Sequence, residues 1–423
     1  LASFMLFYVH FYRPLQHGIQ ETNVYLRNLL DNGSASIDMF FMLSGFLIAR
    51  PLFRELRNSG TLDMKLFYLK RSLRIFQPYY IFLIVQTIVV YSMLADFRAQ
   101  LDEVRPLAYF EPRLKEVYDQ METTYTAVKA VWLDPVIWDF LYLSNYIPGT
   151  MTHGWSLSLE EQFYIALPLF LLFFFRYLPE YIRPAALITL TLLPMCYRLY
   201  YTLTFMTDLE VDAFTEQTLY LKHLYYPFHV HVDSVLTGVT AAYIFDYRRH
   251  WIEALWNTTW LRRILHPGAY LVVILYSLLV NEFDGGILGY VIRFNVFTIA
   301  WTLIMLYSMR PGSRTGRFYG RGGFSPLAKL SYTAYIILHL AGALFISWVF
   351  EFNHLTPGEP PVVTYGDIFF WWLPFGFGVL FFAYLMHLVT ERPFMLLRGW
   401  LIGRYKRTNA NANTQTASGW GRQ

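Results

Sequence analysis

Long apolar stretches recur along the whole chain, and they constrain its fold more than any other feature of the sequence. About 20 mostly apolar residues form one helix across the hydrocarbon core of a bilayer. Ten stretches meet or approach this length, and they lie at roughly residues 1–14, 36–52, 75–95, 156–176, 185–206, 227–247, 267–282, 287–309, 329–350 and 368–389. We therefore expect an all-α, polytopic membrane helix bundle with about ten transmembrane helices.

The composition excludes most soluble classes of protein. Hydrophobic residues make up 55% of the 423 residues, charged residues make up 15%, and the mean hydropathy is +0.32. A soluble domain has about 25% charged residues. The net charge of +4 is too small to indicate a nucleic-acid partner. The single cysteine, Cys196, allows no intrachain disulfide, and we expect no bound metal.

The loop charges predict the orientation in the membrane, because basic residues accumulate in cytoplasmic loops. Alternate loops hold 24 of the 34 basic residues, which predicts that both termini are cytoplasmic. Residues 1–394 then form one membrane domain, and 96–155 within it form an extracytoplasmic, amphipathic segment. Residues 395–423 are predicted to be a cytoplasmic tail that is partly disordered. Leu1 already lies inside an apolar stretch, so we expect further residues to precede it.

Several ionisable residues fall within the predicted spans, where such residues are costly and usually functional. His10, Asp38, Glu160 and Glu161 all lie within about one helical turn of the same depth, by the helix rise of about 1.5 Å per residue. A carboxylate beside a histidine can orient it as a general base, so we consider these four residues catalytic candidates. The alternative is that His10 and Asp38 only hydrogen-bond to each other and hold the helices together.

Basic residues also precede the third predicted span. Arg71 and Arg74 are three residues apart, which places them on one helix face, and Lys70 is adjacent. Two guanidinium groups on one face can bind phosphate oxygens, so these three residues are candidates for binding a phosphate-bearing donor. The alternative is ordinary anchoring of a cytoplasmic helix end or contact with lipid headgroups.

Five segments, in this order, resemble the acyltransferase-3 family of integral membrane acyltransferases. They are 38–48 (DMFFMLSGFLI), 67–80 (FYLKRSLRIFQPYY), 154–164 (GWSLSLEEQFY), 330–339 (LSYTAYIILH) and 391–394 (ERPF). The resemblance implies a ten-helix membrane domain that transfers acyl groups, usually acetyl, from cytoplasmic acyl-CoA. The implied acceptors are hydroxyl groups of cell-envelope or secreted glycans, and the implied location is the bacterial inner membrane.

The resemblance also implies roles for individual residues. His10 matches the histidine that acts as the base in this family, and Asp38 matches its expected partner. Arg71 and Arg74 match the pair that handles the CoA donor. The segments that match the remaining motifs hold two carboxylates, Glu160 and Glu161, and the substrate-binding candidates Trp155, Ser156, Tyr332 and His339.

The chain departs from the family pattern in three places. The basic residue expected about eleven positions before His10 would fall before Leu1. Gly33 lies further from Asp38 than is usual. His231-Val-Asp233 stands where relatives often have Arg-x-Asp. An acyl-histidine intermediate is as compatible with the sequence as a base mechanism. A transporter with buried His, Asp and Glu as an ion relay, or a membrane scaffold, are the alternative classes of protein.

Overall fold

The computed structural model describes residues 2–19, 23–207, 210–283, 286–350 and 361–419, and 86% of the chain is helical. The described part contains seventeen α-helices and no strands. The helices are α1 (Ala2–Tyr12), α2 (Val24–Asp31), α3 (Ala35–Ser59), α4 (Met64–Ala108), α5 (Pro112–Trp132), α6 (Val136–Phe140), α7 (Gly154–Tyr177), α8 (Arg183–Tyr201), α9 (Ala213–Tyr220), α10 (Phe228–Tyr247), α11 (Arg249–Asn257), α12 (Thr259–Leu279), α13 (Arg293–Ser308), α14 (Arg314–Tyr319), α15 (Phe324–Phe350), α16 (Tyr365–Met386) and α17 (Arg392–Gly419). The all-α class predicted from the sequence is confirmed.

Short tighter or wider helical turns join several of these helices. Two are 3₁₀ turns, at Arg13–Gly18 and Asn32–Ser34. Four are π-helical turns, at Thr202–Met206, Leu221–Tyr225, Ile287–Ile292 and His387–Glu391. Such turns often lie near functional sites because they rotate the side chains that follow them.

Within the described ranges, six helical segments are long and apolar enough to cross a membrane. They are Val24–Ser59, Met64–Ala108, Gly154–Tyr177, Ile287–Ser308, Phe324–Phe350 and Tyr365–Tyr405. The other four predicted spans correspond to α1, α8, α10 and α12, which are shorter or less apolar. The protein is therefore an integral membrane protein, and six spans rather than about ten are supported by length and composition.

The chain divides into two compact units. The first comprises Leu1–Leu62, Asp134–Ser331 and Leu338–Val379, and the second comprises Asp63–Leu133, Tyr332–Ile337 and Leu380–Gln423. Most of the candidate residues, including His10 and Asp38, belong to the first unit. Lys70, Arg71 and Arg74 belong to the second.

In the first unit, α3 packs along α10 with very little space between the two backbones. A Cβ atom at Gly45 would lie 2.1 Å from the carbonyl oxygen of Val235, and one at Gly238 would lie 2.0 Å from that of Met42. Small residues at a helix crossing permit this close approach, as is common in membrane proteins. The crossing brings the polar residues of α3 directly against those of α10.

An ion pair on the surface of the first unit joins the α7–α8 loop to the end of α10. Nη1 of Arg248 lies 2.5 Å from Oε1 of Glu180. The hydrogen bond and the charge of Arg248 hold the pKa of the Glu180 carboxyl below its usual range. The pair is solvent-exposed on the Glu180 side, so salt and water weaken it.

In the second unit, α4 is much longer than a bilayer requires. Its 45 residues span about 67 Å at 1.5 Å per residue, against about 30 Å for a hydrocarbon core. The helix begins where the carboxylate of Asp63 accepts a 2.9 Å hydrogen bond from the Leu66 amide. At its other end α5 folds back and packs against it. The segment predicted to begin at residue 96 thus starts as the last part of α4. This part forms a helical hairpin with α5.

Candidate functional site

The side chain of His10 is oriented by its own helix. Nδ1 lies 3.1 Å from the carbonyl oxygen of Leu6, one turn earlier in α1. A carbonyl oxygen can only accept, so Nδ1 carries the proton and the neutral ring has its lone pair on Nε2. His10 is thus held in the tautomer that allows Nε2 to act as a base.

Two further imidazoles lie beside His10. The His10 and His153 ring centroids are 6.3 Å apart at an interplanar angle of 82°, and those of His153 and His339 are also 6.3 Å apart. His153 directly precedes α7, and His339 lies in α15. The structure therefore brings together two of the predicted residues and adds His153, which the sequence analysis did not assign. Within the described residues, no group of His, Cys, Asp and Glu is arranged to hold a metal ion.

Asp38 contacts a different histidine from the one we expected. Its Oδ1 lies 2.8 Å from Nε2 of His231 and 2.7 Å from Oγ of Ser234, both on α10. Asp38 and His231 are fully buried. The partner is His231 rather than His10 because Asp38 lies on the face of α3 that packs against α10. Equal depth in the membrane did not determine this face.

His231 lies between two hydrogen-bond acceptors. Its Nδ1 is 2.8 Å from the carbonyl oxygen of Tyr225, and its Nε2 faces the Asp38 carboxylate. Both nitrogens donate when the ring is protonated, and the resulting imidazolium forms an ion pair with Asp38. Breaking a buried pair of this kind is costly. The Tyr225 and Ser234 contacts satisfy Nδ1 of His231 and add to Oδ1 of Asp38, whereas Oδ2 of Asp38 has no hydrogen-bond partner among the described residues.

The ring of Trp155, a predicted substrate-binding residue, packs inside the first unit. Its ring stacks on His231 with centroids 5.5 Å apart and an interplanar angle of 24°. Phe41, Tyr225 and Phe294 surround the same imidazole edge-on or tilted. Trp155 thus contacts the Asp38–His231 pair, while only 6% of its surface is exposed.

The two carboxylates of α7 have different surroundings. Oε1 of Glu160 accepts a 2.5 Å hydrogen bond from Ser44 of α3 and a second from the Tyr164 hydroxyl. Glu161 is buried, with 5% of its surface exposed. Ser156, at the start of the same helix, donates a 2.9 Å hydrogen bond to the carbonyl oxygen of His153. Glu160 therefore links α7 to α3, and Ser156 fixes the turn that carries His153.

A buried carboxylate orders the loop before α7. Oδ2 of Asp139 accepts hydrogen bonds from the Thr150 amide at 2.6 Å, the Thr150 hydroxyl at 2.8 Å and the Met151 amide at 3.2 Å. Burial raises the pKa of Asp139, and these hydrogen bonds oppose that rise. Gly149 and Gly154 leave the space that the carboxylate occupies. Asp139 therefore determines where His153 and Trp155 are placed.

Gln162, in the 154–164 motif of α7, also stabilises the loop before this helix. Nε2 of Gln162 donates to the carbonyl oxygen of Tyr142 at 2.7 Å and to Oδ1 of Asn145 at 2.8 Å. The Asn145 amide donates back to Gln162 at 3.1 Å. Gln162 thus supports the site without being part of it.

A second buried charge network fixes the end of α1. Oε2 of Glu282 accepts from Arg13 at 2.8 Å and from Ser34 at 2.6 Å, and it lies 3.6 Å from Nη2 of Arg293. Glu282 and Arg293 are fully buried. Arg13 follows His10 by three residues, so this network holds the catalytic candidate in place. No pattern in the sequence predicts that Glu282 joins Arg293 to Arg13.

The donor-binding candidates lie near the start of α4 in the second unit. Lys70 and Arg71 are half-buried and Arg74 is exposed. Tyr332, predicted to bind substrate, donates a 3.0 Å hydrogen bond to the carbonyl oxygen of Ile75 in the same helix. Tyr332 thus lies beside the arginine-bearing turns of α4.

Comparison with known proteins decides the family. A family model described as an acyltransferase domain, that of the acyltransferase-3 family, matches residues 1–388. The chain belongs to the acyltransferase-3 family. The resemblance drawn from the five segments is confirmed, and so is the enzyme class, an acyltransferase. No solved structure matches the chain at a significant level.

Curated relatives in this family resemble the chain over a limited region. The peptidoglycan O-acetyltransferase OatA of Listeria monocytogenes is 28% identical over 147 residues, which are 34% of this chain and 21% of OatA. YrhL of Bacillus subtilis, whose name assigns the same activity provisionally, is 29% identical over 171 residues, which are 39% of this chain and 24% of YrhL. The match thus spans less than a quarter of the length of either relative.

Proposed function

We propose that this acyltransferase-3 protein is a membrane O-acetyltransferase that moves an acetyl group from acetyl-CoA to a hydroxyl group of a cell-envelope glycan. Family membership and the names of the relatives support this proposal. Peptidoglycan is the first acceptor to test, because both relatives carry it in their names. The proposal places the protein in a bacterial inner membrane, with both termini and the arginines of α4 on the cytoplasmic side.

The orientation of His10 is the observation on which the reaction rests. With its Nδ1 proton donated to Leu6, Nε2 accepts the proton of the acceptor hydroxyl. The oxygen then attacks the thioester carbonyl, and the bond from carbon to sulfur breaks. The CoA thiolate leaves and takes the proton from His10, which restores the neutral base. In this proposal, His153 and His339, whose rings lie beside His10, bind the acceptor and exchange protons with it.

Asp38 enters this proposal through His231. Its carboxylate and the imidazole join α3 to α10, and Trp155 stacks on the pair. Because Trp155 lies in the first turn of α7, the pair positions this turn, which directly follows His153. Glu160 and Glu161 at the same end of α7 serve the acceptor, either by binding it or by moving its proton. On the donor side, Lys70, Arg71 and Arg74 bind the phosphates of CoA.

The test is the release of free CoA from acetyl-CoA by the full-length protein in nanodiscs, with peptidoglycan fragments as acceptor. His10→Ala should lower turnover by about 10²- to 10⁴-fold, which is the range for a lost general base. His229→Ala is the matched control. His229 is an exposed histidine of α10 whose ring stacks on Tyr146 and meets Tyr197 edge-on, and its loss should leave turnover unchanged.

Two results would contradict the proposal. Full turnover by His10→Ala would remove His10 from the reaction. Absence of CoA release by the wild type with every glycan acceptor, combined with uptake of an ion or solute into vesicles, would favour a transporter that uses the buried charges as a relay.

A further inference from the structure

Helix α17 returns to the start of α4. The hydroxyl of Tyr405 in α17 donates a 3.0 Å hydrogen bond to Oδ1 of Asp63, the residue that begins α4. At the other end of this part of α17, Glu391, which directly precedes the helix, accepts a hydrogen bond from Thr333 of α15. The neighbouring Tyr332 bonds to Ile75 of α4. These contacts fix α17 antiparallel to the first turns of α4, within the second unit.

This register brings a third arginine level with the two of α4. Arg398 precedes Tyr405 by seven residues, or about 10 Å, and Arg71 follows Asp63 by eight, or about 12 Å. The positive charges of both Arg71 and Arg74 act on Arg398. Three guanidinium groups from two helices therefore form one cluster, which we call the arginine cluster: Arg71, Arg74 and Arg398.

In the described ranges, neither Arg74 nor Arg398 makes an ion pair with Asp or Glu. Asp63 accepts hydrogen bonds from Leu66 and Tyr405, and Glu391 accepts from Thr333 and lies 2.5 Å from the His387 ring. Like charges held together repel each other unless an anion joins them. Guanidinium forks are suited to phosphate because each can donate two parallel hydrogen bonds.

We propose that Arg398 completes a binding site with Arg71 and Arg74 for an anion that carries several phosphate groups, such as the nucleotide end of an acyl-CoA. This inference rests on the proposed function, because it assigns a residue to the donor side of the same reaction. A phospholipid headgroup presents the same phosphate chemistry, so the test separates these two sources. Arg398 binds the donor in this proposal and takes no part in the chemical step.

The test measures the Kd for free CoA with the full-length protein in nanodiscs of zwitterionic lipid and, separately, of lipid containing phosphatidylglycerol. Arg398→Ala should raise the Kd by about tenfold or more, which is the effect of losing one charge-assisted phosphate contact. Arg398→Lys should give a smaller rise, because it keeps the charge and loses the fork. Arg392→Ala is the matched control, on the same helix but about a third of a turn around its axis.

A thermal melt in the same nanodiscs shows whether the variants fold. Without CoA, Arg398→Ala should melt no lower than the wild type, since the substitution relieves repulsion among like charges. With CoA, the wild type should gain more thermal stability than the variant.

The outcomes separate this inference from the proposed function. Wild-type affinity for CoA in Arg398→Ala, with weaker binding in the Arg71→Ala/Arg74→Ala variant, would overturn the role of Arg398 alone. A change that appears only with phosphatidylglycerol would overturn it in favour of a lipid contact. A wild type that binds no CoA would overturn the donor assignment and the proposed function with it.

Discussion

Nε2 of His231 lies 2.8 Å from Oδ1 of Asp38, and this pair joins α10 to α3 where neither side chain is exposed. The resemblance to the family implies that an arginine could stand at the position of His231. Both side chains can present a positive charge to the same carboxylate, so the ion pair is compatible with either residue. The imidazole differs because it also fits flat against the ring of Trp155.

Removal of either partner should leave the other buried side chain without the group to which it bonds. We expect Asp38→Ala and His231→Ala each to lower the free energy of unfolding by about 3–5 kcal/mol. The double variant should lose less than the two single losses together, because the two side chains interact directly. Reversible unfolding in mixed micelles measures all three. Additive losses would show that the two residues are energetically independent.

The close crossing of α3 and α10 predicts a strong effect of one methyl group. Gly238→Ala would place Cβ 2.0 Å from the Met42 carbonyl oxygen, so the helices must separate. We expect a loss of about 1–3 kcal/mol, the usual cost of overpacking. Gly268→Ala is the control, because no atom lies within 4 Å of its Cβ position in α12. That variant should be neutral or slightly stabilising, and equal losses in both would refute the packing argument.

Asp139 should be the most sensitive residue of the loop before α7. Asp139→Ala leaves three donors of Thr150 and Met151 without their acceptor, and we expect a loss of about 2–4 kcal/mol. Thr150→Val removes only the hydroxyl and should cost about 1 kcal/mol. Acetyl transfer should fall with Asp139→Ala, because His153 and Trp155 follow this loop. A variant that melts like the wild type would show that the loop is held by other contacts.

The Glu180–Arg248 pair predicts a pH dependence. A carboxyl whose pKa is lower in the folded protein contributes stability above its unfolded pKa and loses it as the pH falls through the folded value. The pKa of Glu180 is lowered from 4.5. Glu180→Gln should therefore melt below the wild type at pH 7, and the difference should shrink as the pH drops below about 4.5. A difference that does not change with pH would mean that charge is not its cause.

The helices could be predicted from the sequence far better than the contacts between them. Apolar length predicted about ten spans, of which six in the described ranges are long and apolar enough to cross a membrane. The motif order identified the family. The shared depth of His10, Asp38 and Glu160 was also a reasonable inference. However, helix rise fixes only the level of a residue in the membrane, whereas the helix face decides what it touches. In the structure these three side chains contact Leu6, His231 and Ser44 respectively.

Other features depend on long-range packing that no local pattern records. Glu282 meets Arg13 across 269 residues of sequence, and Asp139 acts on a loop that has no helical periodicity. The length of α4 was underestimated because the helix continues beyond its apolar stretch. Its last part is polar, so the apolar pattern ends before the helix does. Arg398 was counted only as one of many basic residues, since its significance comes from the return of α17 to α4.

The length of α4 has a mechanical consequence. Arg74 and Phe97, where the contact with α5 begins, lie on one helix about 34 Å apart. Such a rod transmits a tilt at one end as a larger displacement at the other. Pro78, one turn beyond Arg74, has no amide proton for a helical hydrogen bond, so α4 should bend most easily at this residue. A spin label on α5 would therefore show whether binding at the arginine cluster tilts α4.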